Sequence, residues 1–164
     1  SEVHVIPNPL INIMLQGRHD TFPKRRGLTR VSELKEAGVT IGFGSDCMMD
    51  PWYSLGKADM LEVAAMGLHV GQLSSRAEMK WCFDAVTVNS AKIMGFEHYE
   101  LQKNGRANMV LLQARNKIEA LRLKANRLLV IRDGKLIAQN DPVTSKLFME
   151  GRPTSINSAD YEPS

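Results

Sequence analysis

The chain has 164 residues, 43% apolar and 24% charged, with a net charge of +3, which supports a buried core, excludes a disordered composition and makes no electrostatic case for a nucleic-acid partner. Cys47 and Cys82 form no metal-ligand spacing and are too few for a disulfide framework, so a reducing, cytoplasmic compartment is expected. No apolar run nears the ~20 residues of a membrane helix and the first residues lack a signal-peptide pattern, so a soluble protein without a membrane partner is expected.

Val3, Val5 and Ile6 read as a strand or its exit, with Pro7 and Pro9 expected to bar a helix. Because the chain opens on Ser1 without a methionine, an upstream portion is expected to precede it. Leu10, Ile11, Ile13 and Met14 form an apolar patch, and a polar, basic loop follows over 17–27, where the run Lys24, Arg25, Arg26 reads as solvated. Residues 29–37 suit a short helix with Thr29 as N-cap, Val31 and Leu34 on one face and Gly38 as terminator.

The chain then enters its most informative stretch. Val39, Ile41 and Phe43 alternate with Thr40, Gly42 and Gly44, the period-two pattern of a strand with small residues on one face. Asp46 stands where that strand runs out, before a loop holding Asp50, Pro51 and Trp52. A carboxylate at the carboxyl end of such a strand is where barrels of parallel strands keep their active sites. Asp46 alone reads equally as a cap or turn residue. A helix joined by a short connection to an alternating strand is half of a βαβ repeat, which favours an α/β architecture.

Residues 55–73, 76–86 and 87–95 read as three helices, with Thr87 capping the last and Gly95 ending it; the methionines of the first, and Trp81, read as core. Apolar patterning fades between Gly95 and Asn104, so the chain divides into domains 1–103 and 104–164. In the second, 107–113 reads as a strand, 117–124 as a helix, and 127–132 with 135–139 as a hairpin across Asp133-Gly134, a dipeptide suited to a type I′ turn. So few strands seldom stand alone, and another segment of chain is expected to complete their layer. The tail from Asn140 is expected along the surface.

Several runs together resemble the C-terminal part of bacterial cytosine deaminases of the amidohydrolase superfamily. They are Pro7-Asn8-Pro9-Leu10, Asn12-Ile13, Leu15-Gln16-Gly17-Arg18, Asp20-Thr21, Pro23 to Gly27, and Asp50-Pro51-Trp52-Tyr53 with Leu55-Gly56. Broader superfamily signs are Ser45-Asp46, Thr87 to Ala91 leading to Met94-Gly95, Gly105 with Ala107 to Leu111, and Asp133-Gly134-Lys135. The resemblance implies the last two strands of a (β/α)8 TIM-like barrel plus strands of a small β-sandwich domain. It implies one divalent metal ion, Zn2+ or Fe2+, bound and served by Asp46, and Trp52 and Leu15 as walls of a pyrimidine pocket. The implied chemistry is hydrolytic deamination, with metal-bound water made acidic and Asp46 moving its proton to the departing amine. The family's other histidine ligands have no counterpart among His4, His19, His69 and His98, so an upstream barrel segment of the same protein is the expected partner, and a homo-oligomer the expected assembly.

One departure from the resemblance bears on substrate. Such cytosine deaminases carry His-Asp-Asp where this chain has Ser45-Asp46-Cys47. A thiol in place of the second acid removes a charge and leaves room beside the pyrimidine 5-position, so Cys47 is expected to contact substrate and to admit 5-methylcytosine. The alternatives are a neutral substitution at Cys47, deamination of another amino-heterocycle such as isoguanine or a triazine, or a non-catalytic assembly fragment.

Overall fold

The computed structural model describes residues 3–152 and 154–156. They fall into two compact units that divide after Tyr99, both mixing helices with strands. No helix among the described residues is long and apolar enough to cross a membrane.

The first unit is built on two short parallel strands, β1 (His4–Val5) and β2 (Thr40–Ile41), with His4 opposite Thr40 and Val5 opposite Ile41. The pairing outlasts the strands. Gly42 N–H donates to Val5 O and Gly44 N–H to Pro7 O, so both chains leave the pair side by side. Helix α1 (Pro9–Leu15) follows β1 at once. This corrects the expectation that Pro9 bars a helix: proline is well tolerated at the first helical position, where its missing N–H has no helical partner. Helix α2 (Val31–Glu36) starts after Arg30 rather than after a Thr29 cap, and no side chain caps it. Gly38, at φ +78°, ends it as expected.

Three helices close this unit: α3 (Met60–Val70), α4 (Arg76–Ala85) and α5 (Val88–Ile93). Helix α3 starts five residues later than the apolar pattern suggests, because the buried Asp59 caps it by accepting from Leu61 and Glu62 N–H. Helix α4 has a full capping box between Ser75 and Glu78. Thr87 precedes α5, but its hydroxyl donates back to Phe83 O instead of capping. The core of the unit gathers Ile41, Phe43, Val63, Leu73 and Cys82. Phe43 meets Trp81 edge to face at 5.8 Å, and its ring lies so close to α3 that a Cβ on Gly67 would stand 2.5 Å from it. Trp81, half-buried, also carries the Lys35 ammonium over its ring at 5.3 Å.

The second unit holds an antiparallel sheet in the order β3 (Met109–Leu112), β4 (Arg127–Arg132), β5 (Lys135–Gln139), with helix α6 (Lys117–Leu123) between β3 and β4. The β4–β5 hairpin has the expected bounds. Its turn residues Asp133 and Gly134 have φ +47° and +74°, the pair of positive values a type I′ turn requires. Within the expected surface tail, β6 (Ser145–Lys146) pairs with β7 (Ser155–Ile156); its end, residues 157–164, lies outside the described residues.

Candidate functional site

The paired exit of β1 and β2 sets two loops side by side, and Asp46 stands on the second. Its backbone is left-handed at φ +57°, a conformation aspartate tolerates better than most residues. Its side chain is reached from the other loop: Asn8 Nδ2 donates to Asp46 Oδ2 at 3.2 Å across 38 residues of sequence. Gly44 makes room for that contact, since a Cβ there would collide with Asn8 Oδ1. Asn8 also precedes α1, where asparagine ordinarily caps, yet its side chain makes no capping bond.

After Asp46 the chain closes on itself. Met49 N–H donates to Leu55 O, Asp50 N–H to Tyr53 O, and Asp50 Oδ1 accepts from both Trp52 and Tyr53 N–H at 2.9 Å. Asp50, just before Pro51, thus forms the turn. Cys47 lies between the two acids, its sulfur 3.7 Å from Asp46 Oδ1. The hydrogen bond from its thiol to Asp50, then burial, then the charges of Asp50 and Asp46 push the thiol up to about 11. The Asp50 carboxyl is held below its ordinary value, mainly by the Tyr53 N–H and also by the Cys47 thiol. Cys47 is therefore a neutral hydrogen-bond donor at physiological pH.

Of the residues singled out in the sequence, Asp46 is exposed, Cys47 and Leu15 are half-buried, and Trp52 is 62% exposed. Leu15 closes α1, which packs on α3. Asp46 and Cys47 meet directly. Among the described residues no three or more His, Cys, Asp or Glu side chains group to hold a metal. Asp46 fits as one carboxylate in a mixed set of nitrogen and oxygen ligands and no more than that. Asn8 is the neighbour that residue-by-residue reading missed; it stood within a quoted run, but nothing local shows that its amide reaches position 46.

The basic loop turns inward on itself. Asp20 accepts from Arg25 Nε and Nη2, both at 2.7 Å, Lys24 Nζ donates to the Gly17 and Arg18 carbonyls, and Arg26 Nη1 donates to the Gln16 carbonyl. The Arg25 guanidinium holds the Asp20 carboxyl below its ordinary value. These cations are engaged in shaping the loop.

The Amidohydrolase family profile matches residues 1–138. The chain is similar to 5-methylcytosine deaminase from Klebsiella pneumoniae, solved with 5-fluorocytosine, at 41% identity and a TM-score of 0.81, covering 85% of this chain and 34% of that one. It is similar to N-isopropylammelide isopropylaminohydrolase from Burkholderia multivorans at 32% identity and a TM-score of 0.67, over 72% and 30%. Among curated proteins it is 31% identical over 142 residues to pterin deaminase of Rhizobium rhizogenes, covering 85% of this chain and 32% of that protein. The chain thus spans about a third of the length of the relatives it matches.

Proposed function

Since the chain belongs to the amidohydrolase family, a family of metal-dependent hydrolases with a TIM-barrel fold, we propose that it is the C-terminal part of an aminohydrolase releasing ammonia from cytosine or a 5-substituted cytosine such as 5-methylcytosine. The observation that carries this reading is the 41% identity and shared fold with a 5-methylcytosine deaminase over 85% of the chain. The Asp46–Cys47 pair at the β2 exit supports it chemically. The first unit then supplies the closing part of the barrel, with the division near residue 103. The second unit supplies strands of a small β-sandwich, whose exposed apolar residues Val110, Leu111, Leu136 and Ile137 call for covering strands from elsewhere.

When bound, a divalent metal, zinc or ferrous iron, supplies hydroxide near neutral pH by acidifying its water. Asp46 offers one ligand for it, the remainder coming from an upstream barrel segment of the same protein. Asp46 accepts one water proton and passes it to the exocyclic amine; the oxygen adds across the ring C=N bond, the second water proton ends on that ring nitrogen, and the bond from carbon to the exocyclic amine breaks to release ammonia. Cys47, held neutral beside Asp46, brings no second charge to the site. A neutral donor with a small apolar body tolerates a 5-methyl group better than a carboxylate does. Trp52 and Leu15 serve as pocket walls once the upstream segment encloses the loop, excluding water from the base. The free thiols Cys47 and Cys82 accord with a cytoplasmic setting. A homo-oligomer is the proposed assembly, to be measured by light scattering.

The deciding experiment measures ammonia release from cytosine and 5-methylcytosine by the complete, metal-loaded protein beside Asp46→Asn. Loss of about 10²- to 10⁴-fold in the variant is expected for a group moving the proton; undiminished release would refute the role. Cys47→Asp is expected to lower the use of 5-methylcytosine relative to cytosine by about 10-fold or more, and an unchanged ratio would remove Cys47 from specificity. A second reading, an aminohydrolase of another amino-heterocycle, draws on the similarity to pterin deaminase. It predicts release from a pterin or a triazine and none from either cytosine.

A further inference from the structure

We infer that Asn8 is a positioning residue for the active-site carboxylate, fixing which oxygen of Asp46 faces the reaction. The inference rests on the reading of Asp46 proposed above. An exposed aspartate is loosely held, because rotation about its terminal carbon–carboxylate bond is broad. Here that rotation is restrained: Asn8 Nδ2 donates to Oδ2 at 3.2 Å. Among the described residues Oδ1 accepts only from the Cys47 thiol, whose sulfur stands 3.7 Å away, a weaker donor than an amide. Oδ2 is thus the more firmly held oxygen and Oδ1 the one more readily given to a ligand or a proton.

Two further features are hard to explain as loop structure alone. Asn8 stands at the N-cap of α1 but leaves the helix uncapped, giving its amide to a residue 38 positions away. Residue 44 is a glycine, and a Cβ there would collide with that side chain. An acceptor-only carboxylate requires the amide nitrogen on its side, which turns Oδ1 of Asn8 toward Gly44. Both features keep the Asn8 amide at Asp46.

The test takes the complete protein with Asn8→Ser and Asn8→Asp, each alone and with Asp46→Asn. Serine and aspartate are both good N-caps, so either preserves the start of α1 while removing the amide donor. Partners that orient a metal ligand typically contribute 10- to 100-fold, so kcat for 5-methylcytosine should fall by about that factor with KM roughly unchanged. Zinc affinity, measured by chelator competition, should fall by a similar factor of about 10 to 100. Combined with Asp46→Asn, where no carboxylate remains to be held, Asn8→Ser should weaken zinc no further. Wild-type kcat and zinc affinity in the Asn8 variants, or an equal loss of zinc affinity with and without the Asp46 carboxylate, would overturn the positioning role. A wild-type protein that releases ammonia from neither base, yet shows the Asn8–Asp46 coupling in zinc affinity, would sink the deaminase reading while upholding Asn8.

Discussion

The two units treat their strands in opposite ways. In the first, β2 and its extension are shut inside: Ile41 is fully buried and Phe43 nearly so, with α2 and α5 against β2 and Phe43 meeting α3 at Gly67 and α4 at Trp81. In the second, the three-stranded sheet leaves apolar side chains in the open, Leu136 at 54% exposure and Ile137 at 60%. Parallel strands with helical crossovers are covered by their own connections, whereas an antiparallel hairpin brings no cover with it. The first unit is therefore able to hold a carboxylate in a defined place by itself. The second leaves apolar side chains of its sheet uncovered.

Chemical protection of the site loop offers the largest expected difference. With its thiol raised from 9.0 to about 11, Cys47 carries about 100-fold less thiolate at pH 8 than an unperturbed thiol. Because the shift is upward, alkylation by iodoacetamide should stay slow through neutral pH and rise only as pH approaches 11. Asp50→Asn removes the main cause of the shift and should speed the reaction; alkylation of the wild type at the rate of a free cysteine would show that the loop does not hold Cys47 between its two acids.

Packing comes next. Gly67→Ala sets a Cβ against the Phe43 ring, and overpacking of this kind typically costs about 1–3 kcal/mol, readable by urea unfolding. A neutral result would mean that the wall behind β2 is looser than its burial implies. Asp59→Ala removes the cap of α3 and should cost about 1 kcal/mol on the same measurement; no loss would mean that solvent or neighbours cap α3 equally well.

The smallest effect is expected in the open sheet. Ile137→Thr should change the stability of this chain by less than about 0.5 kcal/mol, as exposed substitutions do. In the complete protein the same substitution should cost more than about 1 kcal/mol, because loss of buried apolar surface then counts. Equal costs in the two would break the contrast between the units and the idea of a covered sheet with it.

Much of this arrangement was legible in the sequence wherever the signal is local. The hairpin was readable from alternation and from Asp133-Gly134, since strand period and turn chemistry act between neighbours. The helix end at Gly38, and the strand running out before Asp46, belong to the same class. Misreadings arose where one residue type has two local meanings. Pro9 was read as a helix breaker and is a helix opener. Thr29 was read as a cap, but the helix begins two residues later.

By itself, then, the sequence determined the order and kind of most elements, the acid at the end of the second strand, and the thiol beside it. These depend on interactions over a few residues, which leave a pattern in composition. Only the tertiary structure decided that Asn8 serves Asp46, that Cys47 shares its surroundings with Asp50, and that Gly67 exists for Phe43. Parallel pairing of β1 with β2 brings together residues nearly forty positions apart. A contact at that separation is made by the fold, and a single sequence carries no periodicity that reports it.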